Sequence, residues 1–112
     1  MGGVVLGSDV KALPSGAKVE GSSGQLGAVH FAIEGGVVSN VWVDDLRALP
    51  DGAAADGVVL SPTASLDDIK RLLAPCDPAE PVKGGVFFKC AHGLLVGTDF
   101  EEKGAFIQLR LR

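Results

Sequence analysis

The sequence predicts an α+β fold, in which an antiparallel sheet of about five to seven short strands carries one main helix on one face. Sixteen glycines and six prolines punctuate the 112 residues, as expected where tight turns join short strands. Several segments alternate apolar and polar residues, which is typical of strands with one wet face. One segment has the apolar spacing of an amphipathic helix. We expect the order β-β-β-β-α-β-β-β in a single domain spanning residues 1–112.

The pattern of the N-terminal part of the sequence predicts a hairpin. Val10–Leu13 and Ala17–Glu20 flank the turn Pro14-Ser15-Gly16, and early proline with late glycine suits a reverse turn. We interpret Gly21–Gly24 as a polar connector.

A second hairpin is predicted over Leu26–Val43. Apolar Val29, Phe31 and Ile33 alternate with polar or small residues, and the chain reverses at Gly35-Gly36, which accepts the positive φ angles of hairpin turns. His30 falls on the polar side of the first strand, where solvation is the simplest interpretation. Gly57–Leu60 predicts a further short strand.

The helix is predicted to begin after Ser65, a good N-cap, and to end before Pro75. Asp68 lies three residues after the cap, in the first turn of the predicted helix, where the helix dipole stabilises a negative charge. We expect one apolar stripe formed by Leu66, Ile69, Leu72 and Leu73.

Three strands are predicted after the helix, within Val86–Cys90, Leu94–Thr98 and Ala105–Leu111. In the last strand, alternation divides two sets: Ala105, Ile107, Leu109 and Leu111 on one face, and Gln108, Arg110 and Arg112 on the other. We expect the helix to cover the apolar face.

A nine-residue pattern occurs twice, at Asp9–Ala17 and at Asp45–Ala53. Two copies are too few for a solenoid. Two similar turns in an Ala/Gly-rich chain is the favoured interpretation, and a duplicated strand–turn unit related by a pseudo-twofold axis is the alternative.

The composition argues against several classes of protein. The chain is 46% hydrophobic, with a formal net charge of −4 and scattered basic residues, which argues against nucleic acid as a partner. No apolar run approaches the roughly 20 residues that span a bilayer. Met1–Leu6 lacks a basic, apolar signal pattern. We therefore expect a soluble, cytoplasmic protein, with the periplasm as the alternative if a signal segment has been removed.

The two cysteines leave three interpretations open. Independent buried thiols at Cys76 and Cys90 are favoured, and a single disulfide is the alternative in an oxidising compartment. With His92 they could also form a metal, redox or nucleophilic site, but the sequence offers neither a fourth ligand nor a group to orient the histidine. We expect no cofactor, no metal and no catalytic residue, and we favour a protein that is not an enzyme.

The region from Val58 to Leu111 resembles the module of SmpA-type outer-membrane assembly lipoproteins and β-lactamase inhibitory proteins. The matching residues are Thr63–Ile69 and Leu72-Leu73, followed by strands with turns at Gly93 and Asp99. Small bacterial immunity proteins have similar helix-plus-strands layouts. Ala74 stands where these repeats usually carry glycine. The resemblance implies a helix beside antiparallel strands and a role in binding another protein.

Together these observations predict a non-enzymatic protein-binding module, of which a bacterial immunity or inhibitor protein is the particular form that the resemblance implies. Trp is enriched at binding hot spots, and exposed carboxylates can steer a basic partner. The candidate contact residues are Trp42, Asp44, Asp45, Asp99, Glu101 and Glu102. Two alternatives remain: a small enzyme or metal/redox protein using Cys76, Cys90 and His92, and a structural homo-oligomer.

Overall fold

A large antiparallel sheet organises the protein. The computed structural model describes residues 1–55 and 57–112, without the side chain of Ala55. In this part of the chain the strands are β1 Lys18–Glu20, β2 Ser23–Leu26, β3 Val29–Glu34, β4 Val37–Val43, β5 Ala53–Ala55, β6 Val58–Leu60, β7 Glu80–Val82, β8 Gly85–Lys89, β9 Leu94–Thr98 and β10 Gln108–Leu111. The α-helix is α1, Leu66–Leu72, and 3₁₀ turns lie at Val10–Ala12, Leu46–Ala48 and Ala91–Gly93.

Eight of these strands form one sheet in the order β1-β2-β3-β4-β10-β9-β8-β7. Two four-stranded meanders therefore meet where β4 pairs with β10, with Trp42 opposite Arg110. β5 and β6 form a separate two-stranded sheet. The prediction of an antiparallel sheet with a helix is confirmed in outline, but the protein is more strand-rich than predicted.

The hairpin of β3 and β4 is confirmed. Gly35 and Gly36 both have positive φ, at 62° and 80°, as a two-residue turn between twisted strands requires. Val29 and Phe31 are buried, while a register shift after Ala32 leaves Ile33 only half-buried.

The helix begins as predicted. Ser65 Oγ accepts a hydrogen bond from the Asp68 N–H at 3.1 Å, and Leu66, Ile69 and Leu73 are buried. Leu72 does not belong to this stripe, because its side chain is 48% exposed. Six residues turn a helix about 240° beyond a whole turn, so Leu72 points away from the face that Leu66 buries.

The predicted N-terminal hairpin is wrong. Asp9 accepts a hydrogen bond from the Lys11 N–H at 2.8 Å and caps a 3₁₀ turn over Val10–Ala12. β1 pairs instead with β2, which begins within the segment interpreted as a connector. The Asp9 cap satisfies a backbone N–H donor locally. In a strand this donor would have needed a partner on a neighbouring strand.

The second copy of the repeated pattern folds in the same way. Asp45 accepts a hydrogen bond from the Arg47 N–H at 3.1 Å and caps the turn Leu46–Ala48. Each copy continues into an antiparallel hairpin, β1–β2 in the first and β5–β6 in the second. The likeness thus extends beyond a turn, which favours the duplicated unit.

The last strand is shorter than predicted, because Ala105 lies in a loop and is exposed. The alternation itself is confirmed: Ile107 and Leu109 are buried, while Gln108 and Arg110 occupy the other face. The buried face packs against α1 and against Val4, Leu46 and Leu49. None of the described helices has the length and apolar character to cross a membrane.

The cysteines are not independent thiols, because Cys76 and Cys90 form a disulfide. The backbone explains this pairing. After α1 the chain runs antiparallel to the end of β8, where the Asp77 N–H donates to the Lys89 carbonyl at 2.7 Å. An isolated β-bridge then sets the two cysteines opposite each other.

Candidate binding face of the sheet

The candidate site lies on the face of the large sheet opposite α1, which we call the outer face. Directly opposed residues of antiparallel strands project to the same side. The registers place one row of side chains across seven strands, in the order Lys18, Gln25, His30, Trp42, Arg110, Leu95 and Lys89. The row contains three cationic side chains and one histidine, but no carboxylate.

Trp42 forms the centre of this row. Its ring stacks on His30, with the ring centroids 5.5 Å apart and the planes 15° from parallel. On β10, the guanidinium of Arg110 lies 4.7 Å from the centroid of the Trp42 ring. Such cation–π contacts contribute about 0.5–1 kcal/mol at exposed sites. His30, Trp42 and Arg110 thus form a preorganised aromatic and cationic group, which we call the Trp42 stack.

Asp44 lies beside the Trp42 stack. Its carboxylate is 3.5 Å from His30 Nε2 and accepts a hydrogen bond from Gln108 Nε2 at 3.3 Å. The Asp44 side chain nevertheless remains 71% exposed, so most of its hydrogen-bonding capacity faces solvent. Two predicted contact residues, Trp42 and Asp44, are therefore neighbours on the outer face.

Sequence reasoning missed the contributions of His30, Gln108 and Arg110. The alternation within β3 and β10 did assign all three to wet strand faces. Their contact with Trp42 and Asp44, however, depends on strand register and on β10 inserting next to β4. Neither can be deduced from the spacing of residues along the chain.

The other predicted contact residues lie away from this face. Asp99 accepts hydrogen bonds from the Ala105 N–H at 3.0 Å, the Lys103 N–H at 3.1 Å and the Thr98 hydroxyl at 3.0 Å. The backbone N–H groups of Ala105 and Lys103 are the main reason that the pKa of Asp99 falls to about 2. Asp99 therefore holds the loop between β9 and β10 in shape.

Glu101 and Glu102 are paired with cations of the chain. Glu101 forms an ion pair with Lys103 at 2.8 Å, and Glu102 one with Lys70 of α1 at 3.1 Å. Lys70 also lies 4.1 Å from the centroid of the Phe88 ring. Glu102, with 39% of its side chain exposed, is thus engaged within the molecule, whereas the side chain of Glu101 remains 72% exposed.

Asp45 has a similar structural role. Burial alone would raise its pKa, but hydrogen bonds and the charge of Arg47 outweigh that effect, and the pKa of Asp45 is lowered. Arg47 in turn donates a hydrogen bond to the Ala105 carbonyl. Asp45 therefore anchors the same loop that Asp99 shapes, rather than joining Trp42 and Asp44.

The proposed metal or thiol site does not assemble. The disulfide leaves Cys76 and Cys90 without a free thiol, and His92 lies in the short 3₁₀ turn that follows. Among residues 1–55 and 57–112, no three His, Cys, Asp or Glu side chains are grouped so that they could hold a metal ion.

Comparison of the chain with protein-family models, with curated proteins and with solved structures gave no match.

Proposed function

We propose that this protein is a protein-binding module and that the outer face of its sheet, centred on the Trp42 stack, is the contact surface. The observation that carries the proposal is the position of Trp42 between His30 and Arg110, in the middle of a partly exposed sheet face. Trp and Arg are among the residues that most often dominate binding energy.

Preorganisation supports this assignment. An interface loses free energy when flexible side chains become ordered, by about 0.5–1.5 kcal/mol for each long side chain. Trp42 and His30 are already stacked, and Arg110 is held over the indole. Less ordering therefore remains for a partner to impose at this point.

The size of the face is also suitable. Eight strands about 4.8 Å apart make a face roughly 35 Å wide, in keeping with the longest molecular dimension of 39 Å. With strands of about three to seven residues, the area is on the order of 600 Å², near the roughly 800 Å² that each partner buries in a standard interface. One globular partner could cover it.

An immunity or inhibitor role is the particular form of binding that we favour. The resemblance of Val58–Leu111 to inhibitory and immunity modules motivates this choice. In such a role the module would bind one partner stoichiometrically and block its activity. A structural homo-oligomer would use the same face against a second copy.

The disulfide bears on the compartment. Disulfides persist in oxidising environments and are rare in the reducing cytosol. Because Cys76 and Cys90 are joined, we favour the periplasm or another oxidising compartment over the cytoplasm. The test is thiol labelling of the protein in freshly lysed, acid-quenched cells. Two labelled thiols per chain would contradict this location.

The function is tested by tagged capture from native lysate, read by mass spectrometry, with the mass of the complex measured by light scattering. Wild-type protein should retain one stoichiometric partner, and Trp42→Ala should lose it. Phe100→Ala is the matched control, because it removes an aromatic ring that is 62% exposed in the β9–β10 loop.

Three outcomes can be separated. A partner retained by Phe100→Ala but lost by Trp42→Ala supports the proposal. A partner that is retained equally by both variants places the contact surface elsewhere. Self-association without another partner favours the homo-oligomer.

A further inference from the structure

We propose that the groove beside the Trp42 stack binds an extended acidic segment of the protein partner. In this arrangement a carboxylate of the segment is held by Arg110 and Arg112, and an apolar side chain two residues away lies against Phe87 and Leu95. This inference rests on the proposed function and specifies the chemistry of the partner.

The groove exists because a glycine interrupts the outer face. Gly97 of β9 lies opposite Gln108 of β10 and Phe87 of β8, so the middle of this row has no side chain. A depression of about 250 Å³ results, lined on the outer face by Phe87, Leu95, Gly97, Gln108, Arg110 and Arg112. It begins next to Trp42, because Arg110 belongs to both features.

The lining of the groove is apolar in its centre. Phe87 and Leu95 are half-buried, and Val82 at the β7 side is 43% exposed. One apolar side chain of a partner would remove part of this surface from water, which favours binding in proportion to the apolar area buried. An extended segment suits the site because alternate residues of a strand point to the same side.

The two arginines supply the charge at one end. In the part of the chain that the structure describes, neither Arg110 nor Arg112 forms an ion pair. Arg110 carries five N–H donors in a planar fork, and its contact with Trp42 is to the aromatic ring rather than to a hydrogen-bond acceptor. These donors can therefore bind a carboxylate while the contact with the indole is kept.

The opposite end of the groove determines which way the bound segment runs. The depression continues past Gly97 and Gln108 to Asp44 and Lys83. At that end Asp44 and Lys83 carry opposite charges, whereas Arg110 and Arg112 give the other end two cations and no carboxylate. We therefore place the acidic part of the segment at Arg110 and Arg112.

Model peptides test the chemistry directly. The probes are capped eight-residue peptides with a repeat of glutamate, serine, leucine and serine, which puts glutamate and leucine on the same side of an extended chain. Two further peptides carry glutamine or lysine in place of glutamate. Binding is followed through the fluorescence of Trp42, the single tryptophan of the chain, and confirmed by calorimetry. We expect saturable binding of the glutamate peptide, about tenfold weaker binding of the glutamine peptide, and none of the lysine peptide.

Variants locate the site. Arg112→Gln should weaken the glutamate peptide about tenfold and leave the glutamine peptide unchanged. Gly97→Ala, whose added Cβ would lie 3.2 Å from the Gln108 side chain, should weaken both peptides by narrowing the groove. Arg71→Gln is the control for charge, since Arg71 lies on α1 across the sheet and is 74% exposed. Its peptide affinities should equal those of the wild type.

Two results would overturn the inference: no binding of the glutamate peptide at millimolar concentration, or equal binding of the glutamate and lysine peptides. Failure of this inference can be distinguished from failure of the proposed function. If capture of the natural partner needs Trp42 but is unaffected by Arg112→Gln and Gly97→Ala, the binding face stands and the acidic segment is wrong. If capture does not need Trp42, the proposed function itself is wrong.

Discussion

The outer face around Trp42 and the loop between β9 and β10 both contain predicted contact residues, yet their charged groups are used differently. In the loop, the carboxylates of Asp99 and Glu102 are bound by N–H groups or cations of the same chain. On the outer face, Asp44 keeps most of its surface exposed, and Arg110 lies over the Trp42 ring without an ion pair in the described part of the chain.

The difference shows that an acidic cluster in the sequence is a weak indicator of a contact surface. A carboxylate that accepts several internal hydrogen bonds has little capacity left for a partner. An indole that is held between two side chains is already ordered, and its exposed part can still contact a partner. We therefore expect changes on the outer face to alter binding, and changes in the loop to alter stability.

The largest expected effect is that of Trp42→Ala on partner affinity. Hot-spot truncations cost about 2 kcal/mol or more, which corresponds to at least a roughly 30-fold weaker complex. The free energy of unfolding should fall by less than the free energy of binding, because Trp42 is only half-buried. Calorimetric titration and urea unfolding measure the two quantities. If Trp42→Ala lost stability but kept its affinity for the partner, the outer face would contribute to stability rather than to binding.

The next effect concerns Thr98→Val at the base of the loop. Thr98 is fully buried, and its hydroxyl lies 3.0 Å from both the Phe106 carbonyl and the Asp99 carboxylate. Valine has a similar shape but leaves these half-buried acceptors, one of them charged, without this donor, so we expect a loss of about 1–3 kcal/mol in the free energy of unfolding.

Urea unfolding measures this loss, and Thr63→Val is the matched control because Thr63 is exposed. The control should change stability by less than about 0.5 kcal/mol. Partner affinity should be unaltered in both variants. A control as unstable as Thr98→Val would show that the buried hydroxyl has no special role.

A pH-dependent effect is expected for Asp99→Asn. The folded-state pKa of Asp99 is lowered to about 2, against an ordinary value of about 3.9. The ionised carboxylate therefore stabilises the fold above the ordinary pKa, and this contribution is lost as the pH falls toward 2. Asparagine keeps one acceptor oxygen but loses the charge.

The measurement is the melting temperature of wild type and Asp99→Asn between pH 7 and pH 2. We expect the wild type to be more stable at neutral pH and the gap to close between about pH 4 and pH 2. Glu101→Gln removes an exposed carboxylate from the same loop and serves as the control. A gap that is constant across this range would rule out the charge of Asp99 as the cause.

The smallest effect is expected for Glu102→Gln. This variant breaks the pair with Lys70, whose two side chains are 34% and 39% exposed. Pairs of this kind are worth about 0–1 kcal/mol and are screened by salt. The loss should be detectable by urea unfolding at low salt and should shrink at high salt. A large loss that is insensitive to salt would point to packing rather than charge.

Several local elements could be predicted from the sequence. Ser65 satisfies a backbone donor at the start of α1, and Gly35-Gly36 accepts the angles of a tight turn. Both signals act over a few residues, so neighbouring sequence is sufficient to define them. The alternation in β10 likewise identified Ile107 and Leu109 as residues of the buried face.

Other features could not be predicted because their causes are distant along the chain. The Pro14-Ser15-Gly16 turn looked like a hairpin loop, but Asp9 caps a 3₁₀ turn before it, and β1 pairs with β2 instead. The cysteines are joined because the chain after α1 returns beside β8. Spacing along the chain specifies neither contact.

The repeated pattern shows which features depend on local sequence and which depend on the tertiary surroundings. Asp9 and Asp45 cap equivalent turns, so the same local sequence produces the same local structure. In the second copy Leu46 is fully buried, whereas its counterpart Val10 is only half-buried. The surroundings of each copy decide this difference.

The sequence by itself determined the antiparallel sheet with one helix, the capped start of that helix, the glycine turn and the inward sides of the main strands. These depend on backbone hydrogen bonds and side-chain periods that span a few residues. Only the tertiary structure decided that β10 lies beside β4, and therefore that Arg110 covers Trp42. The pairing of distant strands depends on the burial of a whole sheet face, which is a property of the complete fold.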